Sequence, residues 1–180
     1  EKKNEQYDAE IMASVKKIIP YYEHVIGKAA KAPRGRAWLL TWNPANWTWD
    51  NYEEWCVDTK NGNTHEIAWR CASKQPEVGD EVFLIKTGAK PRGIMANGHV
   101  STEAYEAPHY DPDKAAEGEI SNHIDVEFDW IQNYENEPML MQDDLKEKYP
   151  QQQWSPMGSG IKIKEPIWTM VKEEWQKLID

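Results

Sequence analysis

The hydrophobic positions of this chain change period along its length. Ile11, Val15, Ile18 and Ile19 recur at the three-to-four spacing of one helical face, and Pro20 interrupts that helix or begins another. The small, basic run Lys28-Ala-Ala-Lys-Ala-Pro-Arg-Gly-Arg36 then reads as a linker. Residues 1–34 are therefore expected to be a helical appendage, either a solvated helix on a domain edge or a connection to a neighbouring module. From Arg36 the pattern shortens to strands. Ala37-Trp-Leu-Leu-Thr-Trp42 is an apolar run that stops at Asn43-Pro44, too short for a helix of its own. Asp50 is placed to cap a short helix carrying Tyr52 and Trp55, with Glu53 completing a partial capping box. Val78-Gly79-Asp80 turns into Val82-Phe-Leu-Ile85, a buried strand, and Ile94, Ala96, Gly98 and Val100 alternate along the next one. Ile124, Val126, Phe128 and Trp130 alternate with Asp125, Glu127 and Asp129, which predicts one buried face and one wet, acidic face. Ile161 and Ile163 mark a last strand. Pro166 then opens a helix carrying Ile167, Met170, Val171, Trp175 and Leu178. Strands at irregular spacing with a few helices predict an α+β domain around a curved or closed sheet.

Composition changes that picture in one respect. Leu, Ile, Val and Phe supply only 30 of 180 residues, a fraction that with a net charge of −10 would ordinarily signal disorder. Ten Trp and eight Tyr point the other way, to a folded domain, because each large ring buries roughly 150–250 Å². Nothing in the chain approaches a membrane span, and no signal peptide opens it. Cys56 and Cys71 make neither a disulfide framework nor a zinc site, so a reducing, cytoplasmic setting is expected. Residue 1 is Glu rather than Met, as in a piece of a longer protein.

The charge is unevenly spread. Residues 101–160 hold fourteen acidic and three basic groups, whereas residues 31–100 hold eight and nine. A polyanion would be repelled by the third quarter of the chain but not by the rest.

Catalytic patterns are missing. The chain has no Gly-rich phosphate loop, no HExxH and no GxSxG, and its five His residues fall at no metal-ligand spacing. Glu103 and Glu106 are the only carboxylates arguable as an acid/base pair, against a plain solvated reading. No enzyme activity, metal or cofactor is expected.

The clustering of rings is more informative. Trp42-Asn-Pro-Ala-Asn-Trp47-Thr-Trp49 places three indoles directly after a strand, where binding residues concentrate. Trp69-Arg-Cys-Ala-Ser73, the stretch from Tyr105 to Tyr110, and Trp154-Ser-Pro-Met-Gly-Ser-Gly160 add rings beside small polar residues. Most of these rings could serve simply as core, since aliphatics are scarce. Alternatively, two or three line a slot for a planar ligand, because an extruded base is held between aromatic walls and read through its polar edge.

The ordered segments Trp38-Leu-Leu-Thr-Trp-Asn-Pro44, Trp47-Thr-Trp49, Val78 to Ile85, Lys90-Pro-Arg-Gly-Ile94, Asp125-Val-Glu-Phe128 and Trp154 to Ile161 resemble an EVE domain. The likeness covers about residues 35–180. It is to the kind found in modification-dependent restriction proteins, where the module is joined to an HNH nuclease or an NTP-driven motor. EVE domains belong to the PUA-like superfamily and are relatives of YTH domains. The resemblance implies a small, strongly curved mixed β-barrel with flanking helices. It also implies non-catalytic recognition of a methylated or hydroxymethylated base, flipped from DNA into an aromatic cage in a phage-defence setting.

By the same resemblance Trp69 is the first choice for a cage wall, within a Trp69-Arg70-Cys71-Ala72-Ser73 stretch that matches the YTH motif. His109 or Tyr110 would supply a second ring, and Asn43 would read the base edge. Trp42, Trp47, Trp154 and Ser155 complete the expected pocket, and Lys86, Lys90, Arg92, Ser159, Gly160 and Lys162 the expected phosphate contacts. The alternatives are a reader of methylated RNA, or a module for a small planar molecule or a protein without nucleic acid. The net charge of −10 keeps the last alternative open.

Overall fold

Alternation builds the sheet. In the computed structural model, which describes residues 35–180, strand β1 (Ala37–Trp42) lies parallel to β3 (Glu81–Lys86), with Leu39 opposite Phe83 and Leu40 opposite Leu84. Leu39 and Phe83 enter one apolar cluster while Leu40 and Leu84 enter another, because successive side chains leave a strand on opposite faces. Both faces are thus covered, which is why these two strands read as unbroken apolar runs.

The remaining strands are β2 (His65–Arg70), β4 (Gly93–Val100), β5 (Tyr105–Pro108), β6 (Ile120–Ile131), β7 (Leu140–Met141) and β8 (Ile161–Ile163). They join in the order β2-β6-β4-β3-β1-β8, with β5 on β6 and β7 on β4, as one curved, mixed sheet. The helices are α1 (Tyr52–Lys60), the short α2 (Pro112–Ala116) and α3 (Gln142–Lys148), and α4 (Ile167–Ile179). The helix expected over residues 11–19, with the rest of the appendage, lies outside the described residues.

The barrel does not close as a ladder. β2 and β8 end the pairing path, and they are joined by a backbone bond just beyond each: the Ala72 amide donates to the Ser159 carbonyl at 2.8 Å. Gly160 makes that approach possible. Its φ is +94°, and a Cβ there would stand 2.3 Å from Cys71 Sγ.

Several local expectations are corrected. Helix α1 starts at Tyr52 after Asn51, and no side chain caps it, so Asp50 has no capping role. Trp69 lies on β2, a strand whose pattern of buried Trp69, half-buried Ile67 and exposed Glu66, Ala68 and Arg70 alternates at period two. Met170 is exposed, since only Ile167, Val171 and Trp175 of α4 sit on its fully buried stripe. The acidic face of β6 is partnered rather than merely wet: Asp125 accepts from Tyr105, while Glu127 and Asp129 flank His99. Glu106 of β5 is paired with Lys74 at 2.9 Å on the exposed surface.

Candidate functional site

The parallel pairing of β1 and β3 brings their carboxyl ends side by side, and the end of β2 joins them across the unclosed seam. The loops leaving these ends surround an open cavity of about 480 Å³. Its rings are Trp42, Trp47, Trp69, Tyr110 and the imidazole of His123; its polar and apolar remainder includes Thr41, Asn43, Asn46, Ala68, Arg70, Thr87 and the loop Pro156-Met157-Gly158-Ser159.

Each ring is held from behind. Trp69 is 5% exposed; its indole N–H donates to the Thr41 carbonyl at 3.2 Å, and Trp47, Trp49 and Phe128 meet it edge-on at 5.2, 5.3 and 5.7 Å. The Trp42 indole donates to the Trp47 carbonyl at 3.0 Å, so one ring secures the loop that carries the next. That loop is also cinched by Asn43, whose carbonyl accepts from the amides of Asn46 and Trp47. Tyr110, 48% exposed, stacks on His109 at 4.5 Å, and Asp111 N–H donates to the His109 ring, so His109 is the buried support of an exposed ring.

The polar atoms are equally constrained. Asn43 Oδ1 accepts from the Ala45 amide at 3.0 Å, which leaves the side-chain NH2 as the donor it can offer a ligand. Gly88, with φ +78°, makes room for that side chain, since a Cβ there would meet Oδ1 at 2.4 Å. Ser159 Oγ accepts from the Thr41 amide at 3.1 Å, so its hydroxyl proton is free to turn elsewhere. His123 is buried, and its Nδ1 lies 3.0 Å from the Ser121 carbonyl; because a carbonyl only accepts, Nδ1 carries a proton, and Nε2 is the ring nitrogen left for a ligand. Arg70 is the rim cation, with no hydrogen bond or ion pair from its guanidinium among the described residues.

The other residues expected at the site lie elsewhere. Trp154 is buried in the second apolar cluster, its indole donating to the Tyr149 carbonyl, and the adjacent Ser155 faces solvent outside the cavity lining. Cys71 is sealed beneath Gly160; burial pushes its thiol up, and Sγ donates to the Ser73 carbonyl. Ser73 Oγ accepts from the Gln75 amide, so both residues stabilise their own turn.

Of the expected phosphate contacts, only Ser159 lines the cavity. Lys86 is buried, donates to the carbonyls of Ala89 and Pro91 at 2.7 and 2.9 Å, and lies over the Tyr134 ring; desolvation lowers its pKa. Arg92 donates to the Gly88 carbonyl, and the Gly160 amide donates to the Leu39 carbonyl. Lys90 and Lys162 are exposed, Lys90 within 3.9 Å of Asp143.

Sequence reasoning misses Thr41, Thr87, Arg70, His123 and Met157 as lining residues. The register Arg70↔His123 between β2 and β6 sets two of them side by side, a signal that exists only once those strands are paired. No group of His, Cys, Asp and Glu among the described residues could hold a metal ion, and no helix among them is long and apolar enough to cross a membrane.

No family model matches the chain, and no curated protein matches it by sequence. Solved structures do. A Pseudomonas syringae protein superposes with a TM-score of 0.54 at 17% identity, over 77% of this chain and 98% of that one. A hypothetical protein from Leishmania major gives 0.52 at 16% identity, over 79% and 95%. The human THYN1 protein, in complex with 5-methylcytosine-containing DNA, gives 0.47 at 15% identity over 78% and 97%, too loose for its ligand to be carried across. The chain is thus similar in fold to the bacterial and protozoan structures, an α+β arrangement around a curved mixed sheet, and the likeness is one of fold.

Proposed function

We propose that residues 35–180 are an EVE-type module of the PUA-like superfamily that reads a modified base swung out of DNA. The observation that carries this reading is the open cavity in which Trp42, Trp47, Trp69 and Tyr110 stand among Asn43, Ser159 and His123. Its volume falls within the roughly 300–1,000 Å³ of small-molecule sites. Rings beside fixed donors and acceptors are what an extruded base requires, since the aromatic walls take its faces and the polar groups its edge. Stacking of about 1–3 kcal/mol per base, together with edge contacts, offsets an unstacking cost of a few kcal/mol.

Electrostatics supports weak, selective binding rather than tight, general binding. Arg70 stands at the rim of a chain of net charge −10, and phosphate contacts dominate non-specific affinity. The module is therefore expected to show a shallow salt dependence. A role in a restriction system, with the nuclease or motor in another domain, rests on the ordered sequence resemblance alone.

The test is anisotropy titration of the protein against matched duplexes carrying cytosine, 5-methylcytosine, 5-hydroxymethylcytosine or N6-methyladenine, with an RNA of the same sequence in parallel. Preference for one modified DNA is expected. Equal affinity for all the duplexes would overturn the reading, and preference for the modified RNA would move it to the transcript.

A further inference from the structure

The loop that closes the seam carries a side chain that the cavity itself does not need. Met157 is 106% exposed, the most exposed of the large apolar side chains among the described residues, yet it belongs to the cavity lining. Its loop is firmly held at both ends. On one side Trp154 is buried and its carbonyl accepts from Gln142 Nε2 at 2.6 Å. On the other, Ser159 bonds Thr41 and Ala72, and the Gly160 amide donates to Leu39. Between these anchors Ser155, Met157 and Gly158 are exposed and Pro156 is half-buried, and a Cβ on Gly158 would meet nothing within 4 Å. A fully solvated thioether on a held loop gains nothing for the fold, since it buries no area.

Resting on the reader assignment above, we propose that Met157 is a wedge that enters the base stack of a duplex as the target nucleotide swings into the cavity. Extruding one base leaves a gap between its neighbours, and apolar side chains, Met among them, are what proteins insert between base steps. The position suits the role. The thioether stands on the cavity rim, so a nucleotide entering beside it leaves its vacancy within reach of the same loop. Met is unbranched, so it can conform to an irregular gap between two bases. Arg70 on the same rim is free to meet a flanking phosphate. The partner is therefore duplex DNA rather than a single strand, because only a duplex has a gap to fill.

The discriminating experiment titrates wild type, Met157→Ala and Met157→Leu against one modified base placed in a duplex and in the corresponding single strand. 2-Aminopurine beside the target reports local unstacking. Wild type should bind the modified form of both and raise the 2-aminopurine signal in the duplex. Met157→Ala should lose about tenfold in duplex affinity and most of that signal while binding the single strand as before, and Met157→Leu should keep both. Equal losses on duplex and single strand would make Met157 a mere cavity wall, and no loss on either would remove it from binding; both results overturn the wedge while leaving the reader intact. If wild type prefers no modified strand in either form, the reader assignment itself fails and the wedge with it.

Discussion

The two apolar clusters on either side of the sheet use the same bulky residue to different ends. On the α4 side, Trp154 and Trp175 are buried among Leu39, Phe83, Ile85 and Val171, and the helix lays an unbroken stripe over them. On the α1 side, Trp42, Trp49 and Trp69 pack among Leu40, Val82, Met95 and Phe128, but the cover stops short. There Trp47 is only half-buried, and Trp42 and Trp69 line open space. The difference lies in the lid. A 13-residue amphipathic helix can cover a whole face, whereas the loops after β1 and before β8 cover an edge and leave a mouth. Trp42 and Trp69 beside the pocket are thus held as firmly as Trp154 in the core, each with its N–H bonded to a backbone carbonyl.

The comparison is tested most severely by truncating one ring on each side. Trp69→Ala and Trp154→Ala should each cost about 3–5 kcal/mol of unfolding free energy in urea titrations, because both rings are buried and both lose an indole hydrogen bond. They part in binding. Folded Trp69→Ala should lose base discrimination, while folded Trp154→Ala, assayed where it remains native, should keep it. The same loss of discrimination in both variants would erase the distinction between the two sides.

Gly160→Ala attacks the seam that divides lid from mouth. With φ at +94° and Cys71 Sγ 2.3 Å from the new Cβ, it should cost about 1–3 kcal/mol, read as a lowered urea midpoint at unchanged slope. Unaltered stability would mean that the seam yields freely. Tyr110→Ala sharpens the comparison from the other direction, since the ring is half-exposed and its support, His109, remains. Stability should stay within about 0.5 kcal/mol while modified-base affinity falls roughly tenfold.

The smallest effect concerns the outer face of β6, away from both clusters. His99 lies between Glu127 and Asp129 at 3.2 and 3.4 Å, and the bond to Asp129 together with the two negative charges raises its pKa above the ordinary value near 6.5. A raised folded-state value contributes stability that is complete below the unfolded pKa and is lost as pH rises through the folded one. His99 is partly exposed, so the loss should be well under 1 kcal/mol, and His99→Gln should abolish that slope in urea midpoints above pH 6.5.

Legibility in the sequence follows burial pattern. The continuous run of β3, the alternation of β6 from Ile124 to Phe128 and the stripe of α4 are readable because each has a period that matches its element. Trp130, expected on the same face of β6, packs instead against the other cluster, beyond a shift in the β4–β6 register. β2 escapes such a reading because His65-Glu-Ile-Ala-Trp-Arg70 is half polar, and its alternation is clear only when Ile67 and Trp69 have a core to face. At the site, rings beside small polar residues single out Trp42, Asn43, Trp47, Trp69 and Tyr110, and all five meet at one cavity. The same rule singles out Trp154 and Ser73, which do not reach it, because local composition is alike on a loop that packs inward and one that faces a mouth. The cations are the least legible. Lys86 is two residues from Gly88 in sequence, but its ammonium is engaged by the carbonyls of Ala89 and Pro91, whereas Arg70, which no local pattern marks, stands free on the rim.

By itself, the order of residues determined that this chain has an aromatic interior, that its strands are short and its last helix amphipathic, and that no metal or nucleophile motif is written into it. Those properties are local or additive, and composition and period carry them. Which indoles face a cavity, which side-chain group of Asn43 is left to give, which cation is unengaged and which methionine is left standing in solvent were decided only when β1, β2 and the loop before β8 met at the seam. Those are consequences of long-range pairing and of a lid that ends, and no window along the chain contains both sides of either.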